Sequence, residues 1–285
     1  MEAIEMKQLN FKGESVSELG IGTWNIGEGD ARQSSQEITA IQYGLEHGIN
    51  FIDTAEMYGE GKSETLVGQA IQPYDRDKLF ITSKFYPFHA TPSLMRASLT
   101  KSLQRLKIDY LDLYLLHWRG NTPLVETVQG MYELQAEGLI KHWGVSNFDT
   151  SDLQELIELP HGKDVFANED LYNLRSRGIE FDLLPWQAEN NIPFIGYSPF
   201  GSGNGKGIDS PELRQIAQER QVSVQAILLA WVTRHHDVLS IPKASQVEHV
   251  TANIAATEIK LTAEELARLD QDFPAPIGKQ ALDVI

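Results

Sequence analysis

The chain has 285 residues, 41% hydrophobic and 22% charged, a length that suits two average domains or one α/β barrel of about 250 residues. Forty acidic against 24 basic side chains give a net charge of -16, which excludes general binding to the phosphate backbone of nucleic acid. No run of about 18 apolar residues is present to span a bilayer; Glu2 and Glu5 stand where a secretory signal needs positive charge, and zero cysteines exclude disulfides and thiolate chemistry, so a cytoplasmic location is expected.

In chain order, a turn around Lys12-Gly13 reads as a β-hairpin, placed as a plug under a barrel floor. Eight short β-branched or apolar runs follow, at 19–22, 50–53, 79–84, 110–117, 140–146, 165–169, 193–197 and 238–242. The segments between them carry helical spacing. Thr91-Pro92 gives an N-cap with proline at the first helical position, ahead of a stripe of Met95, Leu99, Leu103 and Leu106. Thr122-Pro123 repeats that device, with Gly138 as the stop. Ser245 to Glu248 and Thr262 to Glu265 match capping-box spacing. No internal repeat or linker divides the chain, so residues 1–285 are read as one domain.

Unbroken strand–helix alternation argues for parallel strands joined by helical crossovers. A doubly wound sheet is the rival fold, but no G-x-G-x-x-G follows any strand. The reading is therefore a (β/α)8 TIM barrel with a hairpin closing its floor and a short C-terminal tail.

Barrel active sites lie at the C-terminal ends of the strands. Here those ends offer Thr23 and Trp24, Asp53, Lys84, His117, Ser146 and Asn147, Asn168 and Glu169, Tyr197 and Ser198, and Lys243, with Tyr58 five residues past Asp53. An acid, a tyrosine, a lysine and a histidine converging on one rim make a catalytic constellation. Lys84 ends an apolar strand and needs a counter-ion, which Asp53 supplies from the neighbouring strand. A cationic Lys84 beside Tyr58 is expected to pull the phenol down from about 10 towards working pH, suiting it to donate a proton to a forming alkoxide. His117 is placed to hydrogen-bond a carbonyl oxygen. No serine, cysteine or metal cluster among the strand ends offers a nucleophile, and a hydride from a bound cofactor fills that gap.

The segments 53–59, 116–118, 144–148, 196–199 and 241–243, with Lys84, together resemble the aldo-keto reductases, in that family's order and over almost the whole chain. The resemblance assigns Asp53, Tyr58, Lys84 and His117 as the catalytic tetrad. It also implies that Tyr197 stacks on a nicotinamide whose carboxamide is held by Ser146, Asn147 and the residue at 169, with Thr23 nearby. Ser198, Phe200, Gly201 and Ser202 match the pyrophosphate segment. Lys243, Ser245, His249 and Asn253 match the segment around the adenosine 2′-phosphate and adenine, which implies NADPH, with NADH as the lesser possibility. Trp24 and Trp118 are expected to wall a pocket for a small carbonyl substrate, in a protein expected to be a monomer.

Two positions depart from the family pattern. Glu169 replaces a common glutamine, and an ionised glutamate only accepts hydrogen bonds, which is expected to alter nicotinamide placement and to favour the oxidised, cationic cofactor. His249 replaces a common arginine and lacks its permanent charge. The brief tail from Phe273 implies an open, shallow pocket. In length and tail the chain is similar to the short bacterial members that reduce methylglyoxal and other 2-oxoaldehydes. Two other functions fit parts of the pattern: a cofactor-binding sensor or channel-associated subunit with little turnover, and a Schiff-base aldolase using Lys84 or Lys243.

Overall fold

The computed structural model describes residues 6–201, 207–235 and 237–285. Strand β1 (Gln8–Phe11) pairs antiparallel with β2 (Glu14–Ser17). Lys12 and Gly13 join them with φ of 50° and 100°, the two positive values that a two-residue hairpin turn matched to strand twist requires. Leu9, Phe11 and Val16 of this hairpin are buried in one cluster with Phe51, Phe80 and Phe166, so the hairpin plugs the barrel floor as expected.

Eight parallel strands follow: β3 (Gly20–Gly22), β4 (Phe51–Asp53), β5 (Phe80–Phe85), β6 (Leu111–Leu116), β7 (Ile140–Ser146), β8 (Asn168–Leu171), β9 (Phe194–Tyr197) and β10 (Val238–Ile241). They pair in sequential order, and bridges Leu19 to Ser240 and Gly22 to Lys243 bring β3 back to β10. This is the (β/α)8 barrel read from the alternation of types. The seam is tight, since a Cβ on Gly22 would stand 2.6 Å from the Ile241 carbonyl oxygen.

Helices α1 (Ala31–Glu46), α2 (Lys62–Ala70), α3 (Pro92–Leu106), α4 (Leu124–Ala136), α5 (Thr150–Ile157) and α6 (Leu183–Glu189) each follow one strand, β3 to β8 in turn. After β9 come α7 (Pro211–Arg220) and α8 (Val224–Val232), and after β10 come α9 (Val247–Ala256) and α10 (Ala263–Asp272).

Several helix ends differ from the sequence reading. Thr262 and Glu265 do form a capping box at the start of α10. Ser245 does not cap α9: the helix starts at Val247 behind Gln246 without a side-chain cap, and the Ser245 hydroxyl instead receives Lys243 Nζ at 3.5 Å. Thr91 precedes α3 with Pro92 in the first turn but makes no capping bond. Pro123 is itself the residue before α4 and not its first residue. The sixth barrel strand runs 168–171 where 165–169 was expected. Its polar Asn-Glu-Asp stretch looks like rim loop in sequence, yet Asn168 and Asp170 are buried and bonded to each other at 2.6 Å on the helix side.

Strand parity builds the site. Successive side chains point to opposite faces, and the interior cluster takes Phe51, Phe80, Leu113, Leu115, Ala167, Ile195, Leu239 and Ile241. Counting on by even steps, the inward positions at the upper rim are Asp53, Lys84, His117, Glu169, Tyr197 and Lys243. The barrel floor is dry and apolar, and polarity begins one layer below the mouth. Gly22→Ala should crowd the β3–β10 seam and cost about 1–3 kcal/mol, the usual range for overpacking. A drop in urea midpoint at unchanged m-value checks it; an unaltered midpoint contradicts it.

Candidate active site

Lys84 is fully buried, and its position on β5 leaves its ammonium no route to solvent. Nζ lies 2.5 Å from Asp53 Oδ1, 3.2 Å from the Tyr58 hydroxyl and 3.3 Å from both the Thr54 carbonyl and Glu169 Oε1. An ammonium taken from water is stable only when paired and hydrogen-bonded, and these contacts supply both. Burial alone would lower the lysine, but Asp53, Glu169 and Tyr58 together raise it above its ordinary value. A lysine held so firmly as a cation is no amine nucleophile, which removes the physical basis for a Schiff-base aldolase at Lys84.

Tyr58 is held from two sides. The chain bends sharply directly after it, with Gly59 and Glu60 at φ of 57° and 54°. Two residues earlier, Glu56 accepts from the Tyr86 amide at 2.8 Å, contacts the His89 ring at 2.8 Å and takes the Ser98 hydroxyl. These bonds tie the Tyr58 loop to the loop after β5. Sequence reasoning missed Glu56 in this role, although it lies inside the 53–59 segment that was singled out. Ser63, too, becomes a buried hub, donating to the Thr23 carbonyl at 3.0 Å and contacting the hydroxyls of Thr23 and Thr54 at 2.7 and 3.2 Å. The Thr23 hydroxyl is therefore occupied within the protein, and it also donates to the Asp53 carbonyl at 2.8 Å.

The phenol does not titrate as the sequence suggested. Burial raises Tyr58 above 10, Lys84 pulls it down, and Asp53 and Glu169 push it up again, for a net rise. Desolvation of the buried phenol outweighs the pull of the neighbouring ammonium. Tyr58 is consequently a fully protonated phenol across the physiological range. His117 is close by, its ring edge-on to Tyr58 at 5.8 Å between centroids. Burial and the Lys84 charge push the imidazole down to about 2, so it is neutral, and its Nδ1 is buried without a partner.

These groups form one end of a cavity of about 340 Å³. Thr23, Trp24, Asp53, Tyr58, His117 and Trp118 line that end. Trp24 and Trp118 are 38% and 37% exposed, as fits walls of an open mouth. Ser146, Asn147, Glu169, Tyr197, Ser198, Phe200, Gly201 and Lys243 line the remainder. The Ser146 hydroxyl donates to the Glu169 carbonyl at 2.8 Å, Asn147 Nδ2 reaches the His117 carbonyl at 3.0 Å, and the Tyr197 hydroxyl donates to Asn147 Oδ1 at 2.7 Å. Of the expected residues, Ser245, His249 and Asn253 lie outside this cavity, and Ser202 lies outside the described residues.

Two features of the cavity were not foreseen. Ile285 forms part of its wall. The tail is clipped along the rim by Lys279, bound between Asp149 and Asp182, and by the Ser176 hydroxyl donating to Asp283 at 2.6 Å. The tail therefore supplies a residue to the cavity wall, a contribution that its length alone did not suggest. Glu169 also points at Lys84 and Asp53 where a free carboxylate facing the cofactor was expected, and its Oε2 is buried without a partner.

The model of the aldo/keto reductase family matches residues 18–272. The chain belongs to the aldo/keto reductase family. With membership goes the reaction class, an NAD(P)H-dependent oxidoreductase acting on carbonyl compounds. It is 44% identical to the methylglyoxal reductase YeaE of Escherichia coli K12, over 99% of this chain and 100% of that one. An NADH-specific methylglyoxal reductase of the same organism is 30% identical, over 87% of this chain and 92% of the relative. Among solved structures, an aldo-keto reductase from Klebsiella pneumoniae in complex with NADPH superposes with a TM-score of 0.93 at 46% identity, covering 98% of this chain and 99% of the other.

A buried acid beside another carboxyl is a stability liability. Burial and Asp53 hold Glu169 well above ordinary carboxylates. The unfolded chain gives up the Glu169 proton near 4.3 while the folded chain keeps it, so the stability this group contributes is full below that pH and is lost as pH rises through the folded value. Glu169→Gln has no such loss. As pH rises above about 4.3 the wild type should fall behind the variant, by at most about 1.4 kcal/mol per pH unit, measured by urea unfolding. Parallel pH curves for the two proteins contradict this.

Proposed function

We propose that the chain reduces small 2-oxoaldehydes of the methylglyoxal type to the corresponding alcohols with NADPH. The observation that carries the reading is the contact of one fully buried ammonium with Asp53 and Tyr58, at the base of a cavity where Tyr58 and neutral His117 face the same space. Two neutral hydrogen-bond donors converging there suit an oxygen on which negative charge develops. The methylglyoxal-reducing relatives and the NADPH-bound structural neighbour support substrate class and cofactor.

The residues present fit a nicotinamide dinucleotide. Tyr197 offers an aromatic face, Ser146 and Asn147 offer polar atoms for a carboxamide, and the unpartnered Glu169 Oε2 and His117 Nδ1 show that the cavity leaves polar groups unanswered within the protein. Ser198, Phe200 and Gly201 are assigned to the pyrophosphate path, with Ser202 beyond them. Lys243, Ser245, His249 and Asn253 are assigned to the 2′-phosphate and adenine end. When bound, the cofactor supplies hydride to the carbonyl carbon.

The protein's own groups do the rest. His117 and the Tyr58 hydroxyl orient the carbonyl oxygen. Tyr58 then gives its proton to the forming alkoxide, and Lys84 at 3.2 Å stabilises the phenolate left behind. Asp53 positions Lys84 and keeps it charged. Trp24 and Trp118 are proposed to hold the substrate's apolar flank, an area compatible with a small carbonyl. A permanent positive charge at Lys243 favours NADPH over NADH, and the absence of arginine at 249 makes that preference modest. A monomeric state is part of the same proposal. Among the described residues no helix is long and apolar enough to cross a membrane, and a cytoplasmic location is part of the same proposal. A sensor with little turnover has no feature of this site in its favour, since the proton donor and its lysine are in contact.

NADPH consumption with methylglyoxal tests the reading. Tyr58→Phe should lower kcat by about 10²–10⁴, the usual contribution of a positioned acid, with NADPH affinity unchanged. Undiminished turnover in the variant overturns the role given to Tyr58; no NADPH binding by the wild type overturns the function.

A further inference from the structure

The lysine has one carboxyl group more than it needs. Around its single positive charge are Asp53 and Glu169, each 2% exposed. The titratable groups that face Glu169 are Asp53 and Tyr58 from β4 and the loop after it, Lys84 from β5, His117 beyond β6 and Tyr197 from β9. Strand β7 adds only Ser146 and Asn147, while Lys243, after β10, is an exposed lining residue. With His117 neutral and both tyrosines protonated, two ionised carboxylates would leave an uncompensated negative charge on groups almost wholly buried.

One proton shared by the pair removes that charge, since both carboxyls lie against the same ammonium, at 2.5 Å and 3.3 Å from Lys84 Nζ. The contacts say which group holds it. Asp53 takes the short 2.5 Å bond from Lys84, whereas Glu169 has the 3.3 Å contact through Oε1. Glu169 is the weaker partner of the ammonium and therefore the acid.

We propose that the proton on the Asp53–Glu169 pair is coupled to the oxidation state of the bound nicotinamide, kept when the neutral reduced cofactor is bound and released when the cationic oxidised cofactor is bound. This rests on the NADPH reading above. A protonated Glu169 both donates and accepts, as glutamine would at that position, so it serves the reduced cofactor without penalty. Once ionised it places a negative charge in the nicotinamide end of the cavity, which stabilises a cationic ring and does nothing for a neutral one. The step is a simple dissociation: the carboxylic acid becomes a carboxylate, the proton passes to solvent, and no bond of the cofactor changes. The preference for oxidised cofactor expected from Glu169 thus becomes conditional on pH. Burial, which holds Glu169 protonated in the free protein, is what makes the release depend on the incoming cation.

Quenching of tryptophan fluorescence, with Trp24 and Trp118 at the mouth, gives the Kd of NADP⁺ and of NADPH from pH 6 to 9. The ratio Kd(NADPH)/Kd(NADP⁺) should climb with pH by up to about tenfold per unit in the wild type, and stay level in Glu169→Gln. In weakly buffered wild-type protein, NADP⁺ binding should release up to about one proton more than NADPH binding; contributions from the 2′-phosphate are common to both and cancel. A level ratio in the wild type, with both cofactors bound, overturns the coupling and leaves the cofactor reading intact. A slope that persists in Glu169→Gln assigns the proton elsewhere and also overturns it. Failure of the wild type to bind either cofactor overturns both readings together.

Discussion

The site depends on keeping one ammonium charged in a place without water. Isolated, a buried lysine gives up its proton; here Asp53, Glu169, Tyr58 and the Thr54 carbonyl surround it. The neighbours in turn are shaped by that charge. His117 is kept neutral partly by it, Tyr58 is drawn to it, and the two carboxyls are close together only because the cation lies between them. Removing one partner from such a cluster leaves an uncompensated charge, which is why buried pairs of this kind are costly to break, at about 3–5 kcal/mol, even where their net contribution to folding is small.

The barrel makes the cluster possible through parity and closure. Along four of the strand runs an apolar residue enters the floor and, two or four positions on, a functional one reaches the rim: Phe51 leads to Asp53, Phe80 to Lys84, Ala167 to Glu169 and Ile195 to Tyr197. The hairpin plug and the phenylalanine layer exclude water from below. On the outside, a second polar set anchors the same strands: Glu64 accepts from Ser83 at 2.6 Å and from Arg105 at 2.5 Å. Strength of interaction at the centre thus comes from a low-dielectric floor that carries no chemistry of its own.

Most of this was legible in the sequence, because strand parity and strand-end position are local properties. All eight strands and the four rim residues Asp53, Tyr58, Lys84 and His117 follow from patterns of a few residues. What was not legible depended on long-range partners. The Tyr58 phenol was expected to be lowered by Lys84, an inference that left out desolvation, the larger effect once the barrel buries the ring; Glu169 lies 116 positions after Asp53 in the chain, and only the closed barrel brings both to Lys84. Ser245 has the spacing of a cap, but its hydroxyl turns to Lys243. The tail was read by length alone, whereas Lys279 and Asp283 fold it along the rim until Ile285 joins the cavity wall.

Lys84→Met tests the account at its centre. With far-UV circular dichroism showing a folded barrel, the account predicts NADPH binding close to that of the wild type and a loss of methylglyoxal-dependent turnover of about 10²-fold or more. A folded Lys84→Met protein that turns over at the wild-type rate would contradict it, because the phenolate of Tyr58 would then need no buried cation beside it.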